Sequence, residues 1–492
     1  MKHTKRLAAL ALAGVLTAGL SGTALAAGDT GISVQLDGKP LTFTDAVPQA
    51  RDGRTFLPLR AVFEALGAKV DYDAATGAVT AKRDGTTVTM TLGDTLVTVD
   101  RDGKFSMVMM DVAPFAENNR TYVPVRFAAQ ALDCAVGWDQ DDQTVVLVDT
   151  GKLADEVLAG YQYTYLEKFE EYYRQFQEGS WAVKGSFDGS LTFLAQPIAL
   201  EGTVNGLVKG GTQGQMDMNV KMDMLQFAKF MASTNQQALS KEEEAIYTAL
   251  KKDGVGADVR MDLSAGELYV KYNDKTGLTA AAGMSSDLWY SMELYSLLAP
   301  SGVDLRELAD TTTDLIDVKG MVTAGAANVI LTDKDTAVAD LTAAMKEAAA
   351  SFADSAFVKS GNDYILKEES QDGDTSASIG LTLTMKNDKV VGWAMSGGVT
   401  GSMENASGTQ SPITLSMDMG MDAKNHCTAN VSANLAETLT MDLNMTMDYT
   451  KTTKTPETQP PAGAKVISYL ELMAGQGLPA VAQADCPTGP AA

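Results

Sequence analysis

Arg54-Thr55-Phe56-Leu57-Pro58-Leu59-Arg60 and Arg120-Thr121-Tyr122-Val123-Pro124-Val125-Arg126 are one stretch used twice. A shift of 66 residues puts Arg54 on Arg120, Pro58 on Pro124, Arg60 on Arg126 and Leu66 on Leu132, and pairs Tyr72 with Trp138 and Val79 with Val145. So regular an internal repeat marks a fold built from two copies. Within a copy, a hairpin and a Pro-containing loop precede the stretch, and Pro58 then opens a helix, where its missing N–H costs nothing. Leu59, Val62, Phe63 and Leu66 follow helical spacing, Gly67 ends the helix, and Ala68 to Tyr72 alternates as a strand before a turn into a second strand at Val79. The pattern predicts tandem ββαββ units over residues 29–150, each covering the other's apolar face.

These residues resemble the copper amine oxidase N-terminal-like, or stalk, domain. Its turn, Arg-Thr-aromatic, Ala-Leu-Gly and Trp-Asp elements are matched by Asp52-Gly53-Arg54-Thr55-Phe56, Glu64-Ala65-Leu66-Gly67 and Trp138-Asp139. The second copy departs where Asn119 replaces Gly and where Asp133 stands at the helix end. The resemblance implies a non-catalytic, envelope-associated spacer. A copper reading finds no support, because the module contains no His and its one Cys, Cys134, occupies the place of Ala68. Arg54, Arg60, Arg120 and Arg126 are expected to brace loop carbonyls across the repeat rather than to bind an anion.

Residues 1–26 read as an export leader: Lys2, Lys5 and Arg6, an apolar run from Leu7 to Leu20, and a small-x-small site at Ala24-Leu25-Ala26. Its removal shifts the formal charge from −24 to −27. So acidic a chain repels phosphate backbones, which excludes nucleic acid as a partner. No downstream run is apolar enough to span a bilayer. Export predicts a secreted or cell-envelope protein. The three cysteines, Cys134, Cys427 and Cys486, define no framework.

Residues 151–179 read as one connecting amphipathic helix, with Val157, Tyr161, Tyr165, Phe169 and Tyr173 recurring every four residues. From Trp181 the period changes to two. Met216–Met224, Leu415–Met421 and Leu439–Tyr449 alternate Met or Leu with polar residues, as strands of an antiparallel sheet with one wetted face do. Seven further strand candidates extend to Val399, and helical patterns at Ser240–Lys252, Leu305–Ile316 and Ala337–Phe352 are expected to pack on the sheet. The fold class is therefore α+β: the tandem repeat, then a large curved antiparallel sheet with packed helices over residues 180–450. The layout resembles the half-barrel of exported lipoprotein carriers, which implies room for an acyl chain. Residues 451–492 read as a Pro/Thr linker and tail.

Catalytic patterns are missing from the sequence. His426 is the one His after the leader, and there is no phosphate loop or zinc spacing, so neither enzyme activity nor a cofactor is expected. The 25 methionines admit three readings. They fill a core; or Met216, Met218, Met222, Met224, Met441, Met445 and Met447 form an apolar ligand face; or Met417, Met419, Met421, His426 and Cys427 hold copper(I) through soft ligands. The expected function is a stalk module presenting a β-rich domain that binds a lipid-like ligand or an envelope component, with copper(I) handling as the alternative.

Overall fold

A computed structural model describes residues 31–295 and 316–475, apart from positions 45, 52, 102–103, 128–131, 133, 328, 405–409 and 436–438. The chain forms two compact units, Met1–Gln162 with Val318–Ala353, and Tyr163–Asp317 with Asp354–Ala492. The leader, the expected helix at Leu305–Ile316, Asp133 and Cys486 lie outside the described residues.

In the first unit the repeat is written into the strand register. The strands are β1 (Ser33–Leu36), β2 (Lys39–Pro40), β3 (Gln49–Arg51), β4 (Arg54–Pro58), β5 (Lys69–Asp73), β6 (Ala78–Arg83) and β7 (Thr86–Thr91). They continue with β8 (Leu96–Arg101), β9 (Lys104–Met109), β10 (Phe115–Glu117), β11 (Arg120–Pro124), β12 (Cys134–Asp139) and β13 (Thr144–Asp149). The central pairing, β4 on β11, sets Pro58 against Tyr122, Leu57 against Val123 and Phe56 against Pro124. Exchanging the copies reproduces the same three pairs, so a local two-fold passes through Leu57 and Val123. β3 and β10 flank them in equivalent registers. The copies also exchange their opening hairpins: β1–β2 joins β13 of the second copy, and β8–β9 joins β5–β6 of the first through β7. Each copy therefore completes the other, and one core holds Leu57, Val62 and Phe63 with Val123, Phe127 and Val145.

Local chemistry explains the ends of these elements. Helix Leu59–Ala65 starts directly after Pro58. It closes in a Schellman arrangement: Gly67 has a φ of 83° and donates to Glu64, while Ala68 donates to Phe63. Asp37 and Gly38, with φ values of 50° and 75°, make the tight β1–β2 turn that two left-handed residues allow.

Helix Ala337–Phe352 was expected on the large sheet, but it packs in the first unit together with helix Val318–Ala326, which the sequence reading did not single out. Val322, Leu341 and Met345 are fully buried against Val146, Val148 and Ala154. The segment between the helices docks on the edge strand β12, where the Trp138 amide donates to the Leu331 carbonyl at 3.1 Å. Asp139 accepts from the Lys334 amide at 3.0 Å. The helical pattern reveals an apolar stripe but not which sheet will cover it. The expected connecting helix is likewise two helices, Thr150–Leu158 and Thr164–Glu178, broken around Gly160, a residue that weakens a helix interior. Val157 is buried in the first unit, and Leu166 and Phe169 are buried in the second.

The second unit is a 14-stranded sheet. Its strands are β14 (Ser180–Phe193), β15 (Gln196–Lys209), β16 (Gln213–Asp223), β17 (Val255–Asp262), β18 (Glu267–Asp274), β19 (Trp289–Glu293) and β20 (Val358–Ser360). The rest are β21 (Asp363–Asp372), β22 (Thr375–Lys386), β23 (Lys389–Glu404), β24 (Gln410–Met421), β25 (His426–Leu435), β26 (Leu439–Thr452) and β27 (Val466–Ser468). The order is β20 through β26, then β14 through β19, then β27. Every pairing is antiparallel except β19 on β27. The α+β class with a large curved antiparallel sheet is therefore present. The Pro/Thr stretch is docked rather than free. The Glu457 amide donates to Gln215 at 2.9 Å, Pro456 is buried, and the chain then supplies β27.

Gly137 tests the docking of the helical segment. A Cβ there would lie 2.1 Å from the Leu331 carbonyl oxygen. Gly137→Ala should therefore cost about 1–3 kcal/mol as an overpacking change and open the 327–336 connection to protease. Urea unfolding and limited proteolysis of the full chain check this; unchanged values in both would refute it.

Candidate functional site

Directly paired residues of a sheet share a face, so the registers sort the second unit into two surfaces. One row runs Met218, Val204, Gly185, Met447, Cys427, Met421, Trp393. The next runs Val220, Gly202, Phe187, Met445, Ala429, Met419, Met395. Met222 lies one row further along with Leu200, Gly189, Leu443 and Met417. This is an apolar face, and its centre is half-buried.

Helices close two parts of that face. Helix Thr164–Glu178 sets Phe176 over Trp181 (4.5 Å between ring centroids) and over Tyr449 (6.0 Å), with Phe169 against Trp393 at 5.7 Å. Helix Leu225–Thr234 brings Phe227 to 6.4 Å from Phe193 at the far end of β14. Between these contacts lies a cavity of about 320 Å³ lined by Gly185, Phe187, Val204, Met218, Met445 and Met447, with Leu200, Leu443 and Ser186 at its margin. Glycines let the large side chains of this lining settle onto the sheet. A Cβ on Gly185 would sit 2.7 Å from Met447 Cγ, and one on Gly202 would sit 2.3 Å from Phe187 Cζ. Leu415 and Met417 remain exposed on the same face, so it is open toward β24.

The seven methionines singled out from the sequence divide as follows. Met216, Met218, Met222, Met441, Met445 and Met447 share the apolar face, and three of them line the cavity. Met224 lies beyond β16, at the start of helix Leu225–Thr234. Gly185, Phe187 and Val204 were missed: a glycine in a strand carries no apolar signal, and Phe187 and Val204 come beside the methionines only through the register between strands. The soft-ligand set is not brought together. Met417, Met419, Met421 and Cys427 lie on the apolar face, whereas His426 is on the other, where its Nδ1 is 2.7 Å from Asp448 Oδ1. Neighbours in a strand point to opposite faces. Among the described residues no group of three or more His, Cys, Asp or Glu side chains could hold a metal.

The module markers are structural in their surroundings. Arg54 Nε donates to Asp111 of the other copy at 2.7 Å, and Arg120 donates to the Asn119 carbonyl at 3.0 Å. Arg60 approaches Glu64 one helical turn away at 3.8 Å, and Arg126 is exposed. The brace across the repeat thus uses a carboxylate where a carbonyl was expected. Pro58 and Pro124 are buried in the central pairing, and Trp138 Nε1 donates to Gln140. Asp139 is pulled below the ordinary carboxylate range, first by the Lys334 amide and then by the amides of its own turn.

Residues 35–147 match the family described as copper amine oxidase N-terminal domain. No curated protein matches the chain. Among solved structures, the beta domain of the Bordetella autotransporter Brka aligns at 8% identity over 55% of this chain and 99% of its own, with a TM-score of 0.12. A similarity of that size carries no structural inference. Among the described residues no helix is long and apolar enough to cross a membrane.

Two phenols report on the closed part of the apolar face. Burial pushes Tyr172 and Tyr449 up to about 12 from 10.0, with Asp422 and Cys427 adding to the effect at Tyr172. Among the described residues the buried Tyr172 hydroxyl has no hydrogen-bond partner, and Tyr449 donates to the Met447 sulfur at 3.8 Å. A raised folded pKa favours the neutral phenol, so its stabilisation is complete below pH 10 and is lost as pH rises toward 12. Phenolate absorbance should show late-titrating groups that Tyr172→Phe and Tyr449→Phe remove. Tyr172→Phe should leave stability at neutral pH unchanged or raised, because it deletes an unpaired buried hydroxyl. Ordinary titration of every tyrosine in the folded protein would contradict the assignment.

Proposed function

We propose that the second unit binds an apolar, lipid-like ligand on its methionine face, and that the repeat module carries it at the cell envelope or outside the cell. One observation carries the reading: the apolar cavity of about 320 Å³ lined by Gly185, Phe187, Val204 and three methionines. This volume is at the lower end of ligand pockets, roughly 300–1,000 Å³. The lining suits a flexible chain. Methionine side chains are unbranched and polarizable, so they adjust to apolar groups of varied shape. Ser186 is the one polar residue among those lining the cavity. Exposure of Leu415 and Met417 supports a route in from the open part of the face. The leader-like N-terminus and the family match of residues 35–147 support an extracytoplasmic setting. Binding rather than catalysis is the role these features favour: Ser186, the one polar residue of the lining, turns its hydroxyl to the other face, where it meets Thr446.

Retention of an apolar dye by the folded full chain tests the proposal. Met445→Asp should abolish retention, because an unpaired carboxylate in an apolar site costs several kcal/mol. Val204→Phe fills the cavity without adding charge and should do the same while the circular dichroism spectrum stays unchanged. A folded Val204→Phe protein that holds the dye as tightly as the parent would end the proposal.

A further inference from the structure

The opposite, wetted face of the same sheet carries a second depression, of about 260 Å³, across β21 to β25. Two adjacent rows of side chains floor it. One row runs Ile365, Thr382, Ala394, Gly420, Thr428; the other runs Lys367, Gly380, Ser396, Asp418, Asn430. Small residues create the depression: in each row a glycine stands beside longer polar side chains. The Cα of Gly420 is packed so closely that an added Cβ would lie 2.7 Å from the Trp393 carbonyl oxygen.

The same rows continue onto β26, β14, β15 and β16, and their behaviour changes there. Outside the depression the polar side chains satisfy one another. Ser186 meets Thr446 at 3.2 Å, Asn444 donates to Asp188 at 3.3 Å, and Lys221 pairs with Glu201 at 3.0 Å. Inside it, the side chains of Thr382, Ser396, Asp418, Thr428 and Asn430 meet no hydrogen-bond partner among the described residues. Hydroxyl, amide and carboxylate groups are thus set side by side with free donors and acceptors. Among the residues lining the depression, Lys367, paired with Glu369 at 2.6 Å, is the one cation and Asp418 the one anion.

We propose that this groove binds a neutral, linear glycan lying across the strands. An anion is disfavoured by a net charge of −24, and a planar aromatic ligand would find no ring among the lining residues on which to stack. A polyhydroxy chain both donates and accepts at every unit, which matches the mixed lining. Its repeat also suits the sheet, since a pyranose ring is close in length to one strand spacing, about 4.8 Å.

Calorimetric titration of the full chain with tetramers of β-1,4-linked N-acetylglucosamine, β-1,4-linked glucose and α-1,4-linked glucose tests the proposal. At least one tetramer should bind. The double variant Asp418→Ala/Asn430→Ala, both exposed positions, should weaken it at least about tenfold, or about 1.4 kcal/mol. Ser396→Val provides a second variant with the same expected direction. Asn444→Ala, in the same row but outside the groove, should leave affinity unchanged. No binding by any tetramer, equal loss in Asn444→Ala, or glucose monomer binding as tightly as the tetramer would each overturn the proposal.

Discussion

Fourteen consecutive residue pairs join Ser180–Phe193 to Leu439–Thr452, and the second unit depends on that ladder. It is the seam between two meanders, β14 to β19 and β20 to β26, that the chain makes before and after its excursion into the first unit. Closing a loop this long is entropically costly, but the cost grows only slowly with length, so a ladder of this extent with a packed face can offset it. The seam also places Gly185 beside Met447 and Phe187 beside Met445. Without it, neither the cavity nor the continuous polar rows on the reverse would exist.

The two faces follow one rule with opposite chemistry. On the apolar side, glycines stand where large neighbours lean over them, so flexible side chains surround an unfilled space. Elsewhere on that side Trp181, Tyr449 and Trp393 meet the rings of helix Thr164–Glu178. On the polar side, glycines beside short hydroxylated residues leave a groove, while longer neighbours along the same rows bond across strands. Side-chain size along a row, rather than strand pairing, decides where each face is filled and where it is open.

The first unit uses its repeat differently from a simple tandem. The exchanged hairpins tie the copies into one core, so neither half is complete alone. Where the first copy continues into β7, the second turns into helix Thr150–Leu158, which opens a place for the helices of Val318–Ala353. Asp139 shows the divergence at one residue. Its counterpart Asp73 caps only its own turn, through Ala75 and Thr76, whereas Asp139 caps its turn and also holds the Lys334 amide.

Much of this was readable from residues close in sequence. The repeat, its Pro58 and Gly67 helix ends and the alternating strands at Met216, Leu415 and Leu439 are local patterns, and local sterics and side-chain period determine them. That period placed six of the seven methionines on one face. β25 escaped notice because His426–Leu435 alternates small residues, which carry little apolar signal, and with it went the parity that separates His426 from Cys427. What only the tertiary structure decided was partnership. Which sheet would cover Ala337–Phe352, which strands would meet at the seam, and which glycines would lie under methionines are contacts between residues distant in the chain. An amphipathic pattern states that a face must be covered; the partner that covers it is selected by the packing of the whole fold.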